Sequence, residues 1–117
     1  ISEWYRVLED GGKIFVCVPD IENLFKIYLE NLDYYNNPKN RRLVDLSCGI
    51  IYGGQTDQYD FHYMGYSFPA LKSILESVGF KDVKRAQLLE LPFKKPKDAS
   101  EIVLDNKPIS LNIVATK

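Results

Sequence analysis

The first twenty residues constrain the fold most, because they indicate a helix that leads directly into a buried strand. Apolar residues recur at helical spacing at Ile1, Trp4, Tyr5 and Leu8. The pair Gly11-Gly12 predicts the end of that helix, since glycine readily adopts the backbone conformation that follows helices. Residues 14–18 are continuously apolar, which is typical of a strand covered on both faces. Pro19 ends this strand, and Asp20 begins the polar chemistry beyond it.

Length and composition are those of one ordinary globular domain over residues 1–117. Apolar residues make up 45% of the chain, charged residues 26%, and the net charge is −1. We therefore expect no nucleic-acid partner and no membrane partner, because the chain has neither a basic excess nor an apolar run of spanning length. Two cysteines, Cys17 and Cys48, are too few for a disulfide framework, which favours a reducing, cytoplasmic location.

Two helices are predicted between residues 21 and 51. Asp20 can cap the first of them. Its predicted apolar stripe comprises Ile21, Leu24, Phe25, Tyr28, Leu29 and Leu32. The breaker Asn36-Asn37-Pro38 ends this helix, and a weaker helical pattern covers residues 43–51. Residues 52–66 are rich in glycine, aspartate and tyrosine, which predicts a loop.

A last helix and a second strand follow the loop. Ser67 is expected to cap the helix and Gly79 to end it. Its predicted inward face comprises Phe68, Leu71, Ile74, Leu75 and Val78. Residues 83–88 indicate a strand, and Lys84 and Arg85 within it favour a sheet edge.

The final strand is predicted from alternation of apolar and polar residues at the end of the chain. The apolar positions are Ile109, Leu111 and Ile113. Residues 92–100 are expected to form a surface loop, and residues 101–104 either pair with this final strand through a turn at 105–108 or form a short helix. The first two strands should be parallel, because helices connect them. The last strand should be antiparallel and could insert between them.

Four segments in this order resemble the C-terminal half of a class I S-adenosylmethionine-dependent methyltransferase. Residues 3–13, EWYRVLEDGGK, are similar to that family's E-x-x-R-V-L-K-P-G-G junction, with Asp10 in place of the proline. Val18-Pro19-Asp20 resembles the end of its fifth strand, residues 67–83 its next helix and strand, and residues 110–117 its closing antiparallel strand. The resemblance implies an α/β fold: part of a Rossmann-like αβα sandwich with a mixed sheet of about three strands.

The resemblance also implies a cofactor, S-adenosylmethionine, but not a complete site for it. The family binds this cofactor through a glycine-rich turn after its first strand and an acidic residue after its second. No such turn occurs in this sequence, and no strand precedes the first helix. We therefore expect that this chain alone does not bind the cofactor and that a complementary N-terminal half, in a separate chain or a longer reading frame, supplies it.

Candidate site residues lie at the end of the first strand and in the loop. His62, the single histidine, is the natural general base for an acceptor hydroxyl or amine, or else a loop histidine bonded to backbone. Asp20 is a helix cap, a second catalytic group, or both. The predicted acceptor wall comprises Tyr28, Tyr52, Gly53, Gly54, Gln55, Tyr63 and Tyr66. Scattered carboxylates around one histidine predict no metal site.

Two functions of different class remain open. In the first, the chain is the acceptor half of a methyltransferase that acts only when completed by a cofactor-binding half. In the second, it is a non-catalytic fragment or a dimerisation module. Either function favours a partner, and a homodimer is the simplest. We expect the dimer to bury the exposed sheet edge formed by Ile14, Phe15, Val16, Cys17 and Val18.

Overall fold

The computed structural model describes residues 1–86 and 99–117. Across these residues the chain forms four helices and five strands. In chain order they are α1 (Ser2–Val7), β1 (Lys13–Pro19), α2 (Ile21–Glu30), α3 (Pro38–Tyr52), α4 (Phe68–Val78), β2 (Lys81–Arg85), β3 (Val103–Leu104), β4 (Lys107–Pro108) and β5 (Ser110–Thr116). The loop predicted at residues 92–100 and the end of the strand predicted at 83–88 lie largely outside the described residues.

The main sheet has three strands in the order β1-β5-β2. β5 pairs antiparallel with β1, so that Ile14 faces Ala115 and Val18 faces Leu111. It also pairs antiparallel with β2, where Arg85 faces Ile113. β5 is therefore the central strand, and β1 and β2 run in the same direction without contacting each other as neighbours.

The predicted α/β, Rossmann-like fold class is wrong. Every strand pair described in the sheet is antiparallel, and the fold is α+β. The reason is the position of β5, which occupies the place where two parallel strands would have met. The described helices α1 and α4 also pack on one face, because their side chains join the alternate residues Leu111, Ile113 and Ala115 of β5. The sheet is thus not the middle layer of an αβα sandwich.

β1 is covered on one face, whereas its continuous apolar run predicted two covered faces. Ile14, Val16 and Val18 pack against a buried apolar cluster between α4 and the sheet, which we call the first apolar cluster. Its buried members are Leu71, Leu75, Phe80, Val83, Leu111, Ile113 and Ala115. Phe15 is only partly buried and Cys17 is exposed on the opposite face. An apolar run without alternation therefore does not distinguish a strand buried on both faces from one whose second face stays accessible.

The predictions for α4 are confirmed at both ends. Ser67 Oγ accepts a hydrogen bond from the amide of Ala70 at 3.4 Å, and Gly79 adopts φ 118° after the last turn. Leu71 and Leu75 are buried in the first cluster, where Phe80 meets Tyr5 of α1 edge-to-face at 5.1 Å. This cluster packs α1 and α4 onto the sheet. Other elements surround the carboxyl end of β1.

A second apolar cluster joins α2 and α3 to the segment before β5. Its buried members are Leu24, Ile27, Leu43 and Ile109. The wide stripe predicted for α2 is wrong, since Phe25, Leu29 and Leu32 are at least half exposed. The buried face instead continues to Asn31, whose amide donates to Ile27 O at 2.7 Å and to Asp105 Oδ2 at 3.0 Å.

Both alternatives for residues 101–104 are realised in part. Ala99–Glu101 forms one 3-10 turn, and β3 then pairs antiparallel with β4. Asp105 and Asn106 have φ of 49° and 59°, which is the backbone of a two-residue hairpin turn. We call residues 103–108 the small hairpin. Lys107 of this hairpin forms an ion pair with Glu30 at the end of α2.

Candidate functional site

A cavity of about 660 Å³ lies at the carboxyl end of β1. Its walls come from β1, α3, the loop after α3, and the segments that flank and form the small hairpin. The apolar part of the lining comprises Val18, Pro19, Leu46, Ile50, Leu104 and Ile109. His62 and Asp45 are the ionisable side chains of the described lining, apart from the Cys17 thiol. A concave, mostly apolar space with few polar groups is the usual form of a small-molecule site.

α3 forms the longest wall of the cavity, and its start follows from sequence. Asn37 Oδ1 accepts from the amide of Lys39 at 3.1 Å, and Pro38 occupies the first turn, where no amide hydrogen is needed. Gly49 lines the cavity from the last turn of α3. A Cβ added at Gly49 would meet nothing within 4 Å. A glycine inside a helix costs about 1 kcal/mol relative to alanine. Gly49 therefore makes α3 less stable than an alanine would, and it leaves the space next to the helix empty.

The loop after α3 is folded around the carboxylate of Asp60. Asp60 accepts hydrogen bonds from Thr56 Oγ1 at 2.9 Å and from the amide of Gly54 at 3.2 Å. The amide of Gln55 donates to Asp60 O at 2.9 Å. The Thr56 hydroxyl, with the Thr56 and Gly54 amides, holds the pKa of Asp60 below its usual value. An added Cβ at Gly53 would lie 2.5 Å from Asp60 O, so the close approach requires glycine.

This loop positions His62 at the cavity. The amide of His62 donates to Tyr52 O at 3.1 Å, which ties the residue to the end of α3. Its Nδ1 lies 2.8 Å from Ile50 O. A backbone carbonyl can only accept, so we assign a proton to Nδ1; in the neutral imidazole Nε2 then holds the lone pair. Within residues 1–86 and 99–117, Nε2 has no hydrogen-bond partner, which leaves it able to accept one from a ligand.

Asp20 is a buried structural group beside the cavity and does not line it. Its Oδ1 accepts from the amide of Asn23 at 3.2 Å, which confirms the predicted helix cap. Its Oδ2 accepts from Arg85 Nη1 at 3.1 Å. Its amide donates to Ile109 O at 2.8 Å. These contacts fix the carboxyl end of β1, and a catalytic role for Asp20 stays a prediction.

The cavity brings together three of the predicted site residues, His62, Gly53 and Gly54. The other members of the predicted acceptor wall, Tyr28, Tyr52, Gln55, Tyr63 and Tyr66, do not line it. Tyr63 is 94% exposed, and Tyr66 packs against the first apolar cluster instead. Sequence reasoning missed Leu46, Gly49 and the small hairpin. A glycine inside the weak helical pattern of residues 43–51 was the available signal.

The structure adds two observations on metals and membranes, for the part of the chain that it describes. No three His, Cys, Asp or Glu side chains come together in a group that could hold a metal ion. No described helix has both the length and the apolar character needed to cross a membrane. Both cysteines lie in this part of the chain, and they are not joined by a disulfide.

Comparison with known proteins finds no family model, no curated protein and no solved structure that matches this chain. The class of the protein therefore rests on its own geometry: an α+β domain with a candidate small-molecule cavity at one end of its sheet.

The described residues do not fit S-adenosylmethionine. β1 passes through Asp20 directly into α2, without a glycine-rich turn. Gly53 and Gly54 follow a helix rather than a strand, and Asp60 fills the space beside them. The glycines are thus used to fold the loop, and no cradle for a nucleotide results.

Proposed function

We propose that this chain is the acceptor-side unit of an S-adenosylmethionine-dependent methyltransferase, and that a complementary half holds the cofactor. One observation carries the proposal: His62 lines a largely apolar cavity beside the carboxyl end of β1, and its Nδ1 lies 2.8 Å from Ile50 O. The order of elements along the chain supports it, including a closing strand that is antiparallel to its neighbours. The fold class and the absence of homologous matches give it no support.

In this function the chain binds the acceptor and removes its proton. His62 Nε2 accepts the proton of an acceptor hydroxyl or amine, and the Ile50 carbonyl keeps the imidazole in the required tautomer. The Gly53–Asp60 contact holds the loop that carries His62. Asp20, through Arg85 and Asn23, acts as a positioning residue for the end of β1.

The test is methyl transfer that depends on both the chain and His62. The purified chain is added to a cell extract that retains its small molecules, together with tritium-labelled S-adenosylmethionine, and labelled small molecules are counted. His62→Phe should reduce chain-dependent labelling by about a hundredfold or more, because a general base contributes at least that factor. Tyr63→Phe, a neighbour that does not line the cavity, is the matched control. Equal labelling with His62→Phe, or none with the wild-type chain, would contradict the proposal.

Calorimetry on the chain alone tests whether the cofactor is bound by the complementary half and not by this chain. We expect no heat of binding on titration of S-adenosylmethionine at micromolar concentrations, since no cradle is described. Micromolar binding by the isolated chain would instead show that the cofactor site is built from these residues.

A second candidate function is a dimerisation or interaction module without catalysis. It is favoured by the groove of about 520 Å³ that α1 and β1 form at one side of the described sheet. Trp4 and Val7 line this groove and are 47% and 61% exposed. A second copy of the chain or the complementary half would cover the groove. For either function we propose a cytoplasmic location, which two cysteines without a disulfide fit.

A further inference from the structure

We infer that the cavity beside β1 selects a phenol-class ligand without negative charge: an apolar ring that carries one O–H donor. The inference rests on the proposal that this cavity is the acceptor side, and it names the substrate class. Three features carry it, namely the charge of the described wall, the imidazole of His62, and the missing side chain at Gly49.

The part of the cavity wall that the structure describes disfavours anions. Its described lining contains no Lys or Arg side chain that could neutralise a carboxylate or phosphate, and the His62 imidazole is its one basic group. Asp45 adds a negative charge at the lining, and its ion pair with Arg41 is a long one at 3.8 Å on the surface. An anion placed among Val18, Ile50 and Ile109 would lose its hydration without gaining a partner. The volume of about 660 Å³ easily accommodates a ring system.

The polar anchor of the cavity requires a donor from the ligand. In the neutral imidazole whose Nδ1 donates to Ile50 O, the remaining nitrogen of His62 accepts a hydrogen bond. A phenol satisfies this nitrogen while staying neutral, since its own pKa is about 10. The pKa of a water-like hydroxyl is about 16, so a phenol releases its proton far more readily. A phenol therefore suits a histidine base better than an aliphatic alcohol does.

Gly49 is a position where a substitution can fill the cavity and so test the inference. It lines the cavity from within α3, and its added Cβ would meet nothing within 4 Å. A larger side chain there would occupy ligand space without clashing with the protein. Ser73 lies on an exposed position of α4, outside the cavity, and offers a matched site for the same replacement.

The experiment is calorimetric titration of the full chain with three related probes. We expect 2-naphthol to bind roughly three- to tenfold more tightly than 2-methoxynaphthalene, which lacks the donor. The anion 2-naphthoate should bind at least about tenfold more weakly than 2-naphthol. Equal or tighter binding of the ether or of the anion would overturn the inference.

Two variants locate the effect. Gly49→Leu should abolish 2-naphthol binding, and Ser73→Leu should leave it unchanged, with circular dichroism reporting the fold of each. If Gly49→Leu fails to fold, Gly49→Ala serves, with a measurable loss expected. His62→Phe should make 2-naphthol and its ether bind alike, whereas Tyr63→Phe should keep the difference. Binding that ignores Gly49 or His62 would overturn the inference.

The outcomes also separate the inference from the proposed function. Selective binding of 2-naphthol without any methyl transfer contradicts the function alone. Chain-dependent labelling of a charged acceptor, with no binding of 2-naphthol, contradicts the substrate class alone.

Discussion

The carboxylate of Asp20 has no exposed surface and lies 3.1 Å from Nη1 of Arg85. Asp20 follows β1 and Arg85 ends β2, so the pair links the two outer strands across β5. Arg85 also lies over the ring of Phe68 at 5.1 Å and 3.7 Å from Glu22. The ion pair therefore joins the sheet to the starts of both α2 and α4, next to the cavity.

Removing Arg85 should destabilise the fold more than removing a surface arginine. Arg85→Met keeps the aliphatic packing but leaves one oxygen of a buried carboxylate poorly satisfied, which costs about 1–3 kcal/mol in the free energy of unfolding. Arg6→Met is the control, because the Arg6–Glu3 pair is about 70% exposed on both sides and such pairs contribute about 0–1 kcal/mol. Urea denaturation measures both. Equal losses would show that burial of Asp20 adds nothing to this pair.

Two glycine-to-alanine changes next to the cavity should have opposite effects. Gly53→Ala forces φ 84° on an alanine and brings its Cβ to 2.5 Å from Asp60 O, so we expect a loss of about 1–3 kcal/mol. Gly49→Ala places a methyl group in open space within α3 and should stabilise by up to about 1 kcal/mol. Thermal unfolding of both variants measures the difference. A Gly53→Ala protein as stable as the wild type would contradict the described loop.

The loop around Asp60 should lose order in acid. Hydrogen bonds from Thr56 and Gly54 hold the pKa of Asp60 below its unfolded value of about 3.9. A lowered folded pKa means that the contribution to loop stability is complete above the unfolded value and is lost as pH falls through the folded one. NMR titration of the Gly54 and Thr56 amides should therefore give a midpoint below about pH 3.9.

Asp60→Asn is the matched control for this titration. It should remove the Gly54 and Thr56 transition, because an amide side chain does not titrate. A midpoint above about pH 4 in the wild type would contradict the described hydrogen bonds.

Local structure was predictable where one residue decides it. Ser67, Asp20 and Asn37 each accept from an amide at the start of a helix, and this preference for helix starts is intrinsic to short polar side chains. Gly79 ends α4 for an equally local reason. Pairing of strands is not decided locally, because β5 near the end of the chain pairs with β1 near its start as well as with the nearer β2. The predicted antiparallel placement of the last strand between the first two is confirmed, whereas the fold class inferred with it is wrong.

For the candidate site, the sequence predicted some lining residues by their type but not the apolar part of the lining. The Gly53-Gly54 pair and His62 stand out by residue type, and the structure brings all three to the cavity. The apolar half of the lining depends on how α3 packs against the small hairpin, which no spacing rule encodes. Residue type does not predict which tyrosines line the cavity, because an aromatic ring with a polar tip suits an exposed loop as well as a pocket wall, and Tyr63 is almost fully exposed.

A negative charge in the groove between α1 and β1 should prevent association of the chain. Val7 is 61% exposed in this groove beside Trp4, and burial of such side chains would drive a dimer. Val7→Glu should therefore shift the chain to a monomer in size-exclusion chromatography with light scattering. Phe25→Glu, an equally exposed apolar position on α2, should leave the dimer intact. A monomeric wild-type chain at high micromolar concentration would show that a second copy does not cover the groove.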